Sequence, residues 1–293
     1  MMSKHAYLIM AHHRMDLLQS LVFALDHENN DLYIHIDKKC NEQTRIISNK
    51  SKVYFLERMD VRWAGYSQVE CEYRLLELAL SSDEQYQYLH LLTGASFPIK
   101  SNQFIFNFFN ENYGKQFIGF DDNLDYSSRA KYRFLFNELG KPKSRFDYGL
   151  LLIRDLYIQL QKKLGINRFA KFNMQFKKGL AYWSITESCA KYILEKEKIV
   201  KRMLRYSVSG DEVFVQTLVY NSPFKDSIYN LTNEYEGCLV AVAWKKFVGE
   251  DRIGHNFLLK DFDALEESDL LYALKFEGQE GVDLIHQIEN KLL

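Results

Sequence analysis

The residues of this chain best able to do chemistry are a few carboxylates and histidines in short motifs. Ser209-Gly210-Asp211-Glu212 precedes an apolar stretch containing Val213, Phe214, Thr217 and Leu218. Serine followed three residues later by glutamate is a capping-box pattern, with Ser209 as the N-cap and Glu212 reaching back to its N–H. A glutamate at such a junction, facing a cleft, can also take a proton from a hydroxyl. Two further patterns would suit a divalent cation bound through oxygens. Asp261-Phe262-Asp263 opens a helix and reads as a cap, whereas Asp121-Asp122-Asn123 follows a strand-like segment, 116–120. His12, Asp37 and Thr93 each stand where an apolar, strand-like run stops. A carboxylate in that place suits the hydroxyls of a ribose. Tyr182, Trp183 and Trp244 add flat amphipathic rings of the kind that pack on sugars or in a core.

These residues need a scaffold, and the N-terminal half supplies alternating signals for one. Residues 5–12 are an apolar strand candidate, followed by a helix with Leu17, Leu18, Leu21, Val22 and Leu25 on one face. Strands follow at 31–37 and 53–56. A helix then carries Val69, Tyr73, Leu76 and Leu80 at helical spacing, and a strand occupies 88–93. This alternation predicts an α/β fold, a mainly parallel sheet covered by helices on both faces. Ligands of such sheets sit beyond the carboxyl ends of the strands, where His12, Asp37 and Thr93 fall. The later chain reads as a basic helical middle over 147–178, a strand-like 179–185, a helix from Glu187, a last strand at 239–244, and a helical, acidic tail. No repeat or linker interrupts it. One domain is expected, with residues 1–125 as a nucleotide-binding half and 126–293 as an acceptor-binding and catalytic half.

Composition narrows the class. The formal net charge of −1 argues against generic nucleic-acid binding. Charge is segregated, with 13 Lys/Arg against 3 Asp/Glu over 127–180 and 2 against 9 from Asp261 onward. Cys40, Cys71, Cys189 and Cys238 are widely spaced and form no zinc signature or disulfide framework. The start lacks a signal-peptide core, and no run approaches a membrane span. A cytoplasmic protein is therefore expected, with peripheral contact at the inner face of the cell membrane open. Leu150, Leu151, Ile153, Leu156, Tyr157, Leu160 and Leu164 cluster near one helical face, with Lys162, Lys163, Arg168, Lys171, Lys177 and Lys178 supplying charge. Two readings fit this stretch: a core helix with a solvated basic side, or a surface resting on an anionic membrane.

Five blocks in order along the chain resemble the core-2/I-branching N-acetylglucosaminyltransferase family, whose relatives include peptide xylosyltransferases. They are AYLIMAHHRMDLLQSLVFAL at 6–25 leading into LYIHIDKK at 32–39, VRWAGYSQVECEYRLL at 61–76, YLHLLTGASFPIKS at 88–101, KGLAYWSIT at 178–186, and SGDE at 209–212. A closing LLYALKF at 270–276 is similar to the family's usual ending. The resemblance implies a GT-A type nucleotide-sugar-binding fold and an inverting transfer that needs no metal or other cofactor. It implies a UDP donor, most simply UDP-N-acetylglucosamine, with UDP-xylose and UDP-galactose as alternatives. The acceptor is expected to be a saccharide or lipid-linked oligosaccharide. As the sequence shows no anchor or disulfide pattern of secretory-pathway members, bacterial surface polysaccharide assembly is expected rather than protein glycosylation in a lumen. A saccharide-binding module that kept the fold without activity is the reading from another class.

The same resemblance assigns roles. Glu212 is implied as catalytic base and Lys275 as the cation that offsets charge on the leaving diphosphate. Ala11, His12, His13, Arg14, Asp37, Trp63 and Ser67 are implied donor contacts, with Ser67 equally able to cap the following helix. Asp211, Tyr182, Trp183, Arg129, Lys131 and Trp244 are candidate acceptor contacts, and Arg133 lies in the same variable region. The family's second diphosphate cation, an arginine, falls near Val240 here. Lys245, Lys246 or Arg252 are candidates to replace it.

Overall fold

The structure, a computed structural model, describes residues 4–42, 45–121, 127–251 and 255–292. Its centre is β1 (Lys4–Ala11), which pairs in parallel with two neighbours and is buried along nearly its whole length. A strand with sheet on both edges and helices on both faces needs apolar residues at almost every position, which is why KHAYLIMA shows no alternation. The helix α1 (Met15–Ala24) leads to β2 (Asn30–Ile36) and β3 (Lys52–Phe55); then α2 (Tyr66–Leu80) leads to β4 (Tyr86–Thr93). Next come β5 (Ser96–Pro98), α3 (Asn102–Glu111), β6 (Phe117–Ile118), α4 (Ser128–Lys131), α5 (Arg145–Lys163) and β7 (Trp183–Thr186). The chain continues through α6 (Glu187–Glu195), α7 (Glu197–Leu204), α8 (Phe214–Tyr220), α9 (Glu234–Cys238), β8 (Val240–Val242) and α10 (Lys245–Val248). It proceeds to α11 (Phe262–Glu266), β9 (Tyr272–Leu274) and α12 (Gly278–Leu292).

Six strands form the main sheet in the order β3-β2-β1-β4-β7-β6, parallel from β3 to β4 and antiparallel at β7 and β6. A smaller sheet, β5-β9-β8, packs beside it. Its two β strands near the C-terminus were only half expected. The strand predicted at 239–244 is the three residues of β8, and β9 lies inside the segment expected to be helical. One apolar core joins α1, α3, the small sheet and α12, and a second joins α2, α6, α7 and α8 on the opposite face.

A polar thread crosses the sheet interior. His5 Nδ1 lies 3.0 Å from His90 Nε2, and His90 Nδ1 lies 2.8 Å from the Ser184 hydroxyl. Burial holds the His5 imidazole down to about 4 and His90 well below the ordinary histidine range. Both rings therefore fold neutral and take up protons on unfolding. Their contribution is complete above about pH 6.5 and is lost as pH falls toward 4, His5 alone accounting for about 3 kcal/mol. Between pH 7 and pH 5, chemical denaturation should thus show a stability change that is less unfavourable in His5→Asn than in the wild type; an identical change in both proteins would disprove it.

Candidate active site

Parallel pairing brings three strand ends together. Met10 stands opposite Thr93 and Ala11 opposite Ile36, so the ladder carries His12, Asp37 and Gly94 to one edge. The Asp37 N–H donates to Ala11 O at 2.8 Å and the Gly94 N–H to Met10 O at 2.9 Å. Gly94 has to be glycine here, because a Cβ would lie 2.9 Å from that of Ala11. A cavity of about 70 Å³ opens at this edge, lined by His12, His13, Thr93, Gly94, Tyr182, Lys275 and Glu277 among others. Lys275 arrives from the end of β9, whose Leu274 pairs with Ser96 two residues beyond Gly94.

The charges around this cavity are mixed. The His12 and His13 rings lie 4.1 Å apart, and His13 Nε2 is 3.3 Å from Glu277. Partial desolvation, then the charges of His13 and Lys275, hold the His12 pKa below its ordinary value against the pull of Asp37 and Glu277. Asp37 is buried and accepts from the backbone N–H of Lys39 at 2.7 Å and of Val61 at 3.2 Å. The Lys39 ammonium bridges it to Asp60. Arg14, in the left-handed backbone region, gives its guanidinium to Asp16 at 2.7 Å.

Glu212 sits in a short 3₁₀ turn, and the capping-box reading fails there. Ser209 has φ of 48° and makes no side-chain cap, and α8 starts only at Phe214. The Glu212 carboxylate instead meets Arg129 Nη1 at 2.5 Å and Lys178 Nζ at 3.5 Å. Its carbonyl accepts from Gly179 N–H, tying it to the segment that carries Tyr182 toward the cavity. Lys178, expected among solvated surface lysines, is nearly buried beside this carboxylate. Its place at the head of the KGLAYWSIT block was the available signal.

Three acceptor candidates are placed differently from the expectation. Trp183 is 1% exposed within β7, its indole N–H donating to Glu72 at 3.3 Å, so it is core and offers no open ring. Asp211 is 8% exposed beneath Glu212, accepting from the Gln68 amide at 3.0 Å, so it faces inward rather than toward an acceptor. Trp244 packs against the core beside Tyr235. Tyr182 remains at the cavity wall, where burial, then Asp211, raises its phenol pKa. Lys131 is partly buried, and Arg133 is exposed with its guanidinium 4.9 Å from the Tyr206 ring centre. Behind Glu212, burial and then the Glu212 charge push Asp211 up to about 7, and burial also raises Glu72. Asp211 therefore adds stability at low pH that is lost as pH rises through about 7, opposite in sign to His5.

The second block forms a separate wall. Trp63 is exposed, with the Lys141 ammonium 5.5 Å from its ring centre. Ser67 does not cap α2. Glu138 does so from a distant loop, accepting from the Tyr66 N–H at 2.6 Å and the Ser67 N–H at 3.3 Å, with the Ser67 hydroxyl donating to it at 2.8 Å. Losing a cap of this kind costs about 1 kcal/mol. Glu138→Ala should lower the unfolding free energy by about that much, and an unchanged value in urea denaturation would disprove the cap.

Among the described residues, no group of three or more His, Cys, Asp or Glu is gathered as a metal site. Asp261 accepts from Leu258 N–H at 2.8 Å, closing the 3₁₀ turn 259–261, and its side chain makes no cap to α11, the helix it was expected to cap. Asp122, Asn123 and Arg252, and the side chains of Lys245 and Lys246, lie outside the described residues. Val240 is buried in β8.

A largely parallel sheet covered on both faces, with a polar cleft at the carboxyl ends of β1 and β4, defines a GT-A-like nucleotide-sugar-binding fold. The chain belongs to the Core-2/I-Branching enzyme family, whose model matches residues 5–259. It is 24% identical over 258 residues to a human β-1,3-galactosyl-O-glycosyl-glycoprotein β-1,6-N-acetylglucosaminyltransferase, covering 84% of this chain and 56% of that one. It is 23% identical over 224 residues to the mouse enzyme 4 of the same name, covering 73% and 46%. The chain thus spans about half the length of these curated relatives. Mouse xyloside xylosyltransferase 1, in its apo form, covers 92% of this chain and 97% of its own, at 11% identity and a TM-score of 0.37, too distant to bear on function.

These relatives overturn the expectation of a cytoplasmic protein at the inner face of the cell membrane. They are named for transfer to a galactosyl-O-glycosyl-glycoprotein rather than for a cytoplasmic substrate. Among the described residues, no helix is long and apolar enough to cross a membrane.

Proposed function

We propose that this chain is a glycosyltransferase moving N-acetylglucosamine from a UDP donor to a saccharide hydroxyl in polysaccharide assembly, by single displacement with inversion and without a metal. The observation that carries this reading is Glu212, free of any capping role and held by Arg129 and Lys178 beside the segment that leads into the Lys275 cleft. The acceptor oxygen attacks the anomeric carbon and gives its proton to Glu212. The bond from that carbon to the diphosphate oxygen breaks, and UDP leaves with the electron pair. Lys275, fixed at the end of β9, offsets the charge that develops on the diphosphate. Asp37 and the His12–His13 pair, brought to one sheet edge, would contact the uridine and its ribose. Arg129, beside Glu212, and Tyr182, at the cavity wall, suit an acceptor sugar.

The choice of N-acetylglucosamine rests on the named activity of the two mammalian relatives. Incubation with a panel of nucleotide sugars and saccharide acceptors in EDTA, read by mass spectrometry, tests it. UDP release and an acceptor mass gain of one N-acetylhexosamine are expected. Transfer only from UDP-xylose or UDP-galactose would change the donor. Complete loss in EDTA, restored by Mn²⁺, would move the diphosphate site toward Asp121 and Asp122. The Val240 position, apolar where the family has a cation, favours the inactive-module reading, and turnover no higher than a Glu212→Gln background would establish it.

A further inference from the structure

We propose that the outward face of α5 is a docking surface for an anionic lipid bilayer. The helix is 19 residues long, roughly 28 Å, and starts at a capping box of Ser144 and Asp147. Gln161 is its one buried residue, and its amide clasps Arg133 through the N–H and the carbonyl, each at 2.8 Å. That clasp anchors the helix. Elsewhere the burial runs opposite to that of a core helix. Leu152, Leu156, Leu160 and Leu164 follow one another at four-residue spacing, one row along one side, and are 66%, 71%, 51% and 66% exposed. Ile153 and Phe146 widen the row. Single exposed leucines are ordinary, but a continuous apolar row on a surface marks a contact with something else.

Charge selects the occupant. Residues 141–171 carry eight Lys/Arg against two Asp/Glu. Arg145 and Lys163 fall on the same side as the leucines, with Lys141, Lys143, Lys162 and Lys171 near the two ends. The two acids are engaged, Asp147 in the capping box and Asp155 with Arg154 at 3.3 Å. A helix with leucines on one face and cations clustered toward its two ends lies in the plane of a bilayer interface, its apolar side in the acyl boundary and its cations on anionic headgroups. A second copy fits poorly, since antiparallel pairing of two such faces would set Arg145 of one against Lys163 of the other.

Neither Glu212 nor Lys275 lies on this helix, so the proposal stands apart from the catalytic reading. Co-sedimentation of the whole chain with vesicles tests it, using phosphatidylcholine alone and phosphatidylcholine with phosphatidylglycerol. Most of the protein should pellet with the anionic vesicles at about 0.05 M salt and little at about 0.5 M, where charges are screened within a few ångströms. The double variant Leu156→Gln, Leu160→Gln should lose at least about tenfold in vesicle affinity, and Lys162→Gln, Lys163→Gln should bind with a shallower salt dependence. Unchanged melting temperatures would show that both variants are folded. Wild-type protein left in the supernatant with anionic vesicles at low salt would overturn the proposal. So would equal binding to neutral vesicles, or a dimer in sedimentation equilibrium that Leu156→Gln dissociates.

Discussion

Glu212→Gln should lower turnover by ~10²–10⁴-fold while UDP affinity stays close to wild type, because the amide keeps the side-chain shape but cannot take the acceptor's proton. Among the described residues next to Glu212, Asp211 is buried and Arg129 and Lys178 are cations, so none of them is expected to replace it as a base. Glu212→Asp should also be poor, since removing one methylene draws the carboxylate back from its position between them. Steady-state UDP release, with UDP binding measured separately by calorimetry, separates chemistry from affinity. Wild-type turnover in Glu212→Gln would end the base assignment. A parallel loss of melting temperature and turnover would instead mark the Arg129–Glu212–Lys178 cluster as a structural brace.

The second large effect is expected at Lys275. Lys275→Ala should weaken UDP binding and slow transfer together, by roughly the ~10²–10³-fold that follows loss of one fixed donor to a developing oxyanion. Val240, where the resemblance implies a second diphosphate cation, is an apolar, buried residue of β8, so under the proposed function the effect at Lys275 is expected to be large unless Lys245, Lys246 or Arg252 replaces that cation. His12 is a weak substitute, because its lowered pKa leaves it mostly neutral near pH 7. Lys275→Arg should recover part of the binding, since a cation is restored at the same place. Unchanged UDP affinity in Lys275→Ala would place the diphosphate elsewhere in the cleft.

How far the sequence revealed this molecule depended on the range of the interactions involved. The segments that became β1 and β4 were legible because a buried parallel strand must be apolar almost throughout, β2 from the alternation of Leu32, Ile34 and Ile36 with Tyr33 and His35, and α2 from its regular spacing. The strand β9 was not, since three residues in an acidic tail become a strand only by pairing with β5 and β8, far away in the chain. Trp183 was a candidate sugar platform or a packed ring, and Asp211 a candidate to orient Glu212 or bind an acceptor hydroxyl. The partners that draw them inward, Glu72 and Gln68, sit on α2. Ser67 was read as a local cap or a phosphate contact; the capping carboxylate comes instead from Glu138, a residue no local pattern identifies. For α5, periodicity correctly showed an apolar side, but periodicity cannot say which side meets water.

The position of β9 also sets the order in which the molecule can come to completion as it is made. Ribosomal synthesis delivers β5 and β8 before the strand that lies between them, and Lys275 follows directly after that strand. Until it emerges, the nascent chain has His12, Asp37 and Glu212 but neither the ammonium group that lines the cavity with His12 nor the partner for two strand edges. A message cut short within this region would yield a protein with most of its fold and an incomplete site, exposing sheet edges of the kind that quality-control proteases and chaperones engage.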